Sequence, residues 1–90
     1  MVKHVILWKL DEKLTDSEKD QVKAGIKEGL EDITVRTEGL PSSNVDVMLD
    51  STFVDAESLK GYATHPKHLA VADGKVRPYT VLRSCMDYEI

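Results

Sequence analysis

Tyr62-Ala63-Thr64-His65-Pro66-Lys67-His68 gathers two of the chain's three histidines, a tyrosine and a proline into one short stretch. Pro66 organises it. A proline holds the residue before it in extended conformations, so His65 falls outside a helix. Pro66 itself suits the first position of a new helix, where its missing N–H would be unpaired anyway. Two short helices therefore meet here: Ala56 to Ala63 behind the N-cap Asp55, and a second from Pro66 carrying Leu69, Ala70 and Val71. His68 falls in the first turn of the second helix, where free N–H groups and the positive dipole end disfavour imidazolium. A neutral imidazole can accept a proton, and Tyr62 can offer a phenolic O–H into the same space. The same residues also fit a purely structural account, in which His65 caps the junction, His68 is a boundary histidine and Tyr62 is core with a wet tip.

The junction decides the fold because it merges two helices into one crossover. Before it, Val2 to Leu10 is apolar on both faces, which predicts a strand buried on both sides, with His4 set among apolar neighbours. Thr15-Asp16-Ser17-Glu18 is a capping box opening a helix to about Leu30. That helix has an inward stripe of Val22, Gly25, Ile26, Gly29 and Leu30, extending to Ile33, and a charged outer face that includes Lys23, Lys27 and Glu31. The two stripe glycines imply either close approach to the sheet or space beneath the helix. Ile33 to Thr37 reads as a short strand, Gly39 to Asn44 as a turn, and Val45 to Val54 as the next strand. Val45, Val47, Leu49 and Phe53 share one face of it. Pro78 ends the second short helix, and Tyr79 to Ile90 forms the last strand. The order β-α-β-β-α-α-β is the ferredoxin-like, split-βαβ pattern of an α+β domain with a four-stranded antiparallel sheet. Helices can cover one face of such a sheet; a second copy of the sheet is the simplest cover for the other.

Ninety residues make one domain, spanning 1–90, and 41% apolar with 31% charged residues reads as globular. A net charge of −4 with no basic cluster argues against a nucleic-acid surface. No apolar run approaches the ~20 residues of a membrane span. The opening Met1-Val2-Lys3-His4 lacks a secretory layout, so a cytoplasmic protein is expected. The single cysteine, Cys85, excludes an internal disulfide and is expected to be a small buried residue. No metal-binding, phosphate-binding or nucleophile-elbow motif is present. Pro66 separates His65 from the helix of His68, which makes them a poor facial pair, so no metal site is expected.

Val2-Lys3-His4 opening the first strand, Tyr62-x-x-His65-Pro66-x-His68 at the junction and Asp87-Tyr88-Glu89 near the end resemble the stress-responsive dimeric α/β-barrel (Dabb) domain over essentially the whole chain. The resemblance implies a ferredoxin-like subunit whose sheet packs on its mate to form a dimeric α+β barrel, and a homodimeric protein of undefined biochemical role, a small-molecule-binding or stress-associated module. Some plant members of that family are cofactor-free polyketide cyclases. By that resemblance His68 is the base and Tyr62 its helper in aldol or enolisation chemistry on a small apolar carbonyl compound. His4, Trp8, His65 and Val47 line the substrate cavity, and no cofactor is needed. Val47 stands where those cyclases have a further histidine, and Trp8 replaces a smaller aliphatic residue.

Overall fold

The structure is a computed structural model describing residues 1–30 and 33–90. Its elements are β1 (Val2–Leu10), α1 (Asp16–Gly29), β2 (Thr34–Arg36), β3 (Val47–Phe53), α2 (Ala56–Ala63), α3 (Pro66–Val71) and β4 (Thr80–Glu89). A π-helical turn, Ala72–Val76, and a 3₁₀ turn, Arg77–Tyr79, connect α3 to β4. Strand order is β2-β3-β1-β4 with every pairing antiparallel, which is the ferredoxin-like arrangement. β2 and β3 are shorter than the alternation predicted, and of the expected outer face of α1, Glu31 lies outside the described residues.

Local chemistry sets the element ends. The Thr15 hydroxyl accepts from the Glu18 N–H and the Glu18 carboxylate accepts from the Thr15 N–H, so the capping box closes in both directions. Asp55 caps α2 by accepting from Ser58 N–H at 2.8 Å. His65 Nδ1 accepts from Lys67 N–H at 3.1 Å and so caps α3, with Pro66 at its start.

Along β1 the even positions are buried and the odd ones half-buried. Ile6, Trp8 and Leu10 meet Val47 and Leu49 of β3, Val22 and Ile26 of α1, and Leu30 just past its end in one core. The helix-free face carries Val5 and Leu7, with Met48 and Asp50 on β3 and Ser84, Met86 and Tyr88 on β4. On that side Met86 is 66% and Tyr88 41% exposed. Cys85 is exposed rather than buried as expected. It lies beside Ile6 on the helix-side face, but β4 is an edge strand that the helices leave uncovered.

The two glycines of α1 answer different needs. A Cβ on Gly29 would come within 2.8 Å of Val71 Cγ1, so the glycine allows close approach to α3, not to the sheet. A Cβ on Gly25 would meet nothing within 4 Å.

Candidate functional site

Four aromatic rings run from β1 to α3. The His4 and Phe53 ring centroids are 6.5 Å apart and edge-on. Phe53 and Tyr62 are 5.2 Å apart, and Tyr62 and His68 only 4.4 Å apart. β1–β3 register sets the first pair, because it puts Phe53 on the face that carries His4. The α2–α3 junction sets the last pair: Thr64 ends one helix, His65 caps the next, which Pro66 starts, and His68 turns back onto Tyr62.

Tyr62 and His68 are half-buried, yet Tyr62 Oη and His68 Nδ1 are enclosed without a hydrogen-bond partner. Leaving such groups unpaired typically costs about 1–3 kcal/mol each, which is tolerated where a ligand can supply the missing partner. Burial raises the Tyr62 pKa, so the phenol stays a donor at neutral pH. Burial also lowers the His68 pKa, helped by the charges of His4, Arg77 and Arg83. The neutral imidazole expected from the helix dipole is therefore favoured, with desolvation as the leading cause.

A cleft of about 910 Å³ reaches Tyr62, His65 and His68, walled by Phe53, Leu30 and Val71. His68 also borders a second cleft of about 340 Å³ against Trp8, Val76, Arg77 and Arg83. Trp8 is 5% exposed and mostly core, so it forms the floor of that second cleft without filling the first. Val47 is enclosed in the core beside Leu49. His4 is drawn elsewhere: its Nδ1 meets the Asp87 carboxylate, and both border a third cleft of about 540 Å³ along β4 and α2. The structure thus brings together Tyr62, His65 and His68, sets Trp8 on the far side of His68, and separates His4 from the phenol by the Phe53 ring.

Sequence reasoning missed Phe53 as the ring between β1 and α2, although alternation had put it on one face with Val47 and Leu49. It also missed Arg77 and Arg83 beside His68, and Cys85 and Asp87 beside His4. Those four reach the site only through the turn after α3 and the β1–β4 register, neither of which leaves a local signature.

The sheet order, the helix-covered face and the bare apolar face define a ferredoxin-like α+β domain of the kind found in dimeric barrels. The chain belongs to the Dabb family: the model of the stress responsive A/B barrel domain matches residues 2–90. Among solved structures it is similar to a dimeric protein of unknown function and ferredoxin-like fold from Bacteroides fragilis, at 31% identity and a TM-score of 0.92, covering 99% of this chain and 95% of that one. A Dabb family protein from Mesorhizobium loti shares 17% identity at a TM-score of 0.78, covering 99% and 95%. A hydroxynitrile lyase from Passiflora edulis shares 18% at 0.74, covering 99% and 92%, a likeness of fold alone. No curated protein matches the chain. Among the described residues no helix is long and apolar enough to cross a membrane.

Proposed function

We propose that this chain works as a homodimeric small-molecule-binding module, and that its ligand is a small, largely apolar carbonyl compound held in the Tyr62–His68 cleft. One observation carries the reading: a phenol and an imidazole, side by side, each keep an enclosed polar atom without a partner. A ligand carbonyl can accept from the phenol, and a ligand hydroxyl or acidic C–H can face His68 Nδ1. The apolar walls Phe53, Leu30 and Val71 favour an apolar body. The dimeric state is supported by dimeric relatives and by the exposed Met86 and Tyr88 on the helix-free face, which a second sheet would cover.

Proton transfer is the second reading, favoured by the lowered His68 pKa. His68 would take a proton α to the ligand carbonyl, and Tyr62 would donate to the developing enolate oxygen. The binding test is a thermal-shift and NMR screen with apolar ketones, aldehydes and phenolic ketones against wild type, Tyr62→Phe and His68→Ala. Binders whose affinity falls about tenfold or more in both variants support the cleft. Binders indifferent to both variants sink it. Solvent deuterium exchange at the α-carbon of a bound ketone, lost in His68→Ala, would add the proton-transfer step.

A further inference from the structure

A second constellation lies outside that cleft, where β4 meets β1. Register sets Asp87 opposite His4 and Cys85 opposite Ile6, so all three polar side chains point to one face. Cys85 Sγ is 3.9 Å from His4 Nδ1 and 3.6 Å from Asp87 Oδ1, and His4 Nδ1 contacts the same carboxylate oxygen. The potential ligand atoms all lie within 4.8 Å of one another. We propose that His4, Cys85 and Asp87 form a binding site for a divalent transition-metal ion of the zinc class.

Donor chemistry selects the ion. One imidazole, one thiolate and one carboxylate suit Zn²⁺ and its neighbours, whereas Mg²⁺ and Ca²⁺ take all-oxygen shells. Distance supports it as well. With Zn–S of about 2.3 Å and Zn–N or Zn–O of about 2.0–2.1 Å, a tetrahedral site puts sulfur about 3.5 Å from the other donors. The two sulfur edges are already within a few tenths of an ångström of that. The third edge opens when the ion takes the place of the His4–Asp87 hydrogen bond, and the Cys85 thiol, which donates to Asp87, releases its proton to solvent as it binds the metal as a thiolate.

The site is also partly preorganised. His4 is 5% exposed, its ring stands edge-on to Phe53, and its carbonyl accepts from the Ser51 hydroxyl at 3.2 Å. Cys85 and Asp87 sit on the edge strand and stay reachable from solvent. Three protein ligands leave a fourth position, which faces the cleft of about 540 Å³ walled by Leu59, Lys60 and Ala63 of α2. Three ligands and an open position are the pattern of sites that bind an exchangeable molecule on the metal.

The test uses Co²⁺ as the spectroscopic probe on the whole reduced chain, with Zn²⁺ as competitor. A near-ultraviolet thiolate-to-cobalt band together with tetrahedral visible bands, both bleached by one equivalent of Zn²⁺, is the expected result. Cys85→Ser should abolish the thiolate band, and Asp87→Asn should weaken affinity by at least about tenfold. Cys85 and Asp87 are exposed, so both variants should fold, which far-ultraviolet circular dichroism checks. Absence of the thiolate band in wild type overturns the site. So does cobalt binding that Cys85→Ser leaves unchanged, since the metal would then sit elsewhere, for instance on His65 and His68. Ketone binding at Tyr62 and His68 is read separately and is indifferent to either result.

Discussion

The helix-covered face of β1 has two ends, and they are built to opposite rules. At the Leu10 end, Ile6, Trp8 and Leu10 close against Val47, Leu49 and Ile26 in one hydrophobic cluster. At the Val2 end the same alternation delivers His4 and Phe53, and the elements above them contribute Tyr62 and His68. Burial alone does not separate the two, since Trp8 and His4 are each 5% exposed. What separates them is satisfaction. Among the described residues the Leu10 end has no enclosed side-chain polar atom left without a partner, while the other end leaves Tyr62 Oη and His68 Nδ1 enclosed and unpaired. Apolar packing is concentrated at one end, and unpaired polar atoms at the other.

The comparison breaks if the Leu10 end proves tolerant. Ile26 is fully enclosed, so Ile26→Ala should cost about 2–5 kcal/mol, from lost burial plus the cavity left behind. In a domain whose whole stability is about 5–15 kcal/mol, that removes a large share of it and lowers the midpoint of urea unfolding by about 1 M or more. A loss under about 1 kcal/mol would mean this end is loosely packed. Next in size comes a pair of glycine substitutions on α1. Gly29→Ala drives a Cβ against the stiff, β-branched Val71 beside the open cleft, and should destabilise by about 1–3 kcal/mol, less a propensity gain of about 1. Gly25→Ala meets open space and should stabilise by up to about 1 kcal/mol. Urea unfolding of the two variants side by side checks both signs.

This asymmetry was only half legible in the sequence. Alternation in β1, the capping box at Thr15 and the proline at 66 dictated element type and order, because each acts over a few residues. Tyr62 and His68 were also legible as neighbours, since they stand six positions apart across one junction. The His4–Asp87 pairing was not, because it depends on β4 returning antiparallel beside β1, 83 positions further along the chain. Exposure of Cys85 was misread for a related reason: an apolar run indicates a strand, but which strand lies at the edge follows from the whole topology.

Titration sharpens the open end. The folded protein holds His68 below its ordinary value of 6.5, chiefly by burial and then through His4, Arg77 and Arg83. A depressed folded-state pKa means the unfolded chain binds the proton more readily. Its contribution to stability is therefore complete above about pH 6.5 and is lost as pH falls through that value toward the folded-state pKa. His68→Gln should flatten the slope of unfolding free energy between about pH 5 and 7 relative to wild type, with little change at pH 8. An unchanged slope would show that His68 is as solvated in the fold as in the unfolded chain, and the open end would lose its desolvated base.

The smallest effect separates binding from folding most cleanly. In Tyr62→Phe the ring stays against Phe53 and His68, and only an oxygen without a partner is removed. Removing an enclosed, unpaired hydroxyl should leave stability unchanged or raise it by up to about 1 kcal/mol, whereas deleting a satisfied one would lower it by a similar amount. Equilibrium unfolding at pH 8, where His68 is neutral in both states, reads the sign directly. A gain in stability joined to a loss of ketone binding would show that the phenol is kept for a ligand at the expense of the fold. A loss of stability would show that Tyr62 has a partner inside the protein, and the two ends of β1 would then follow the same rule.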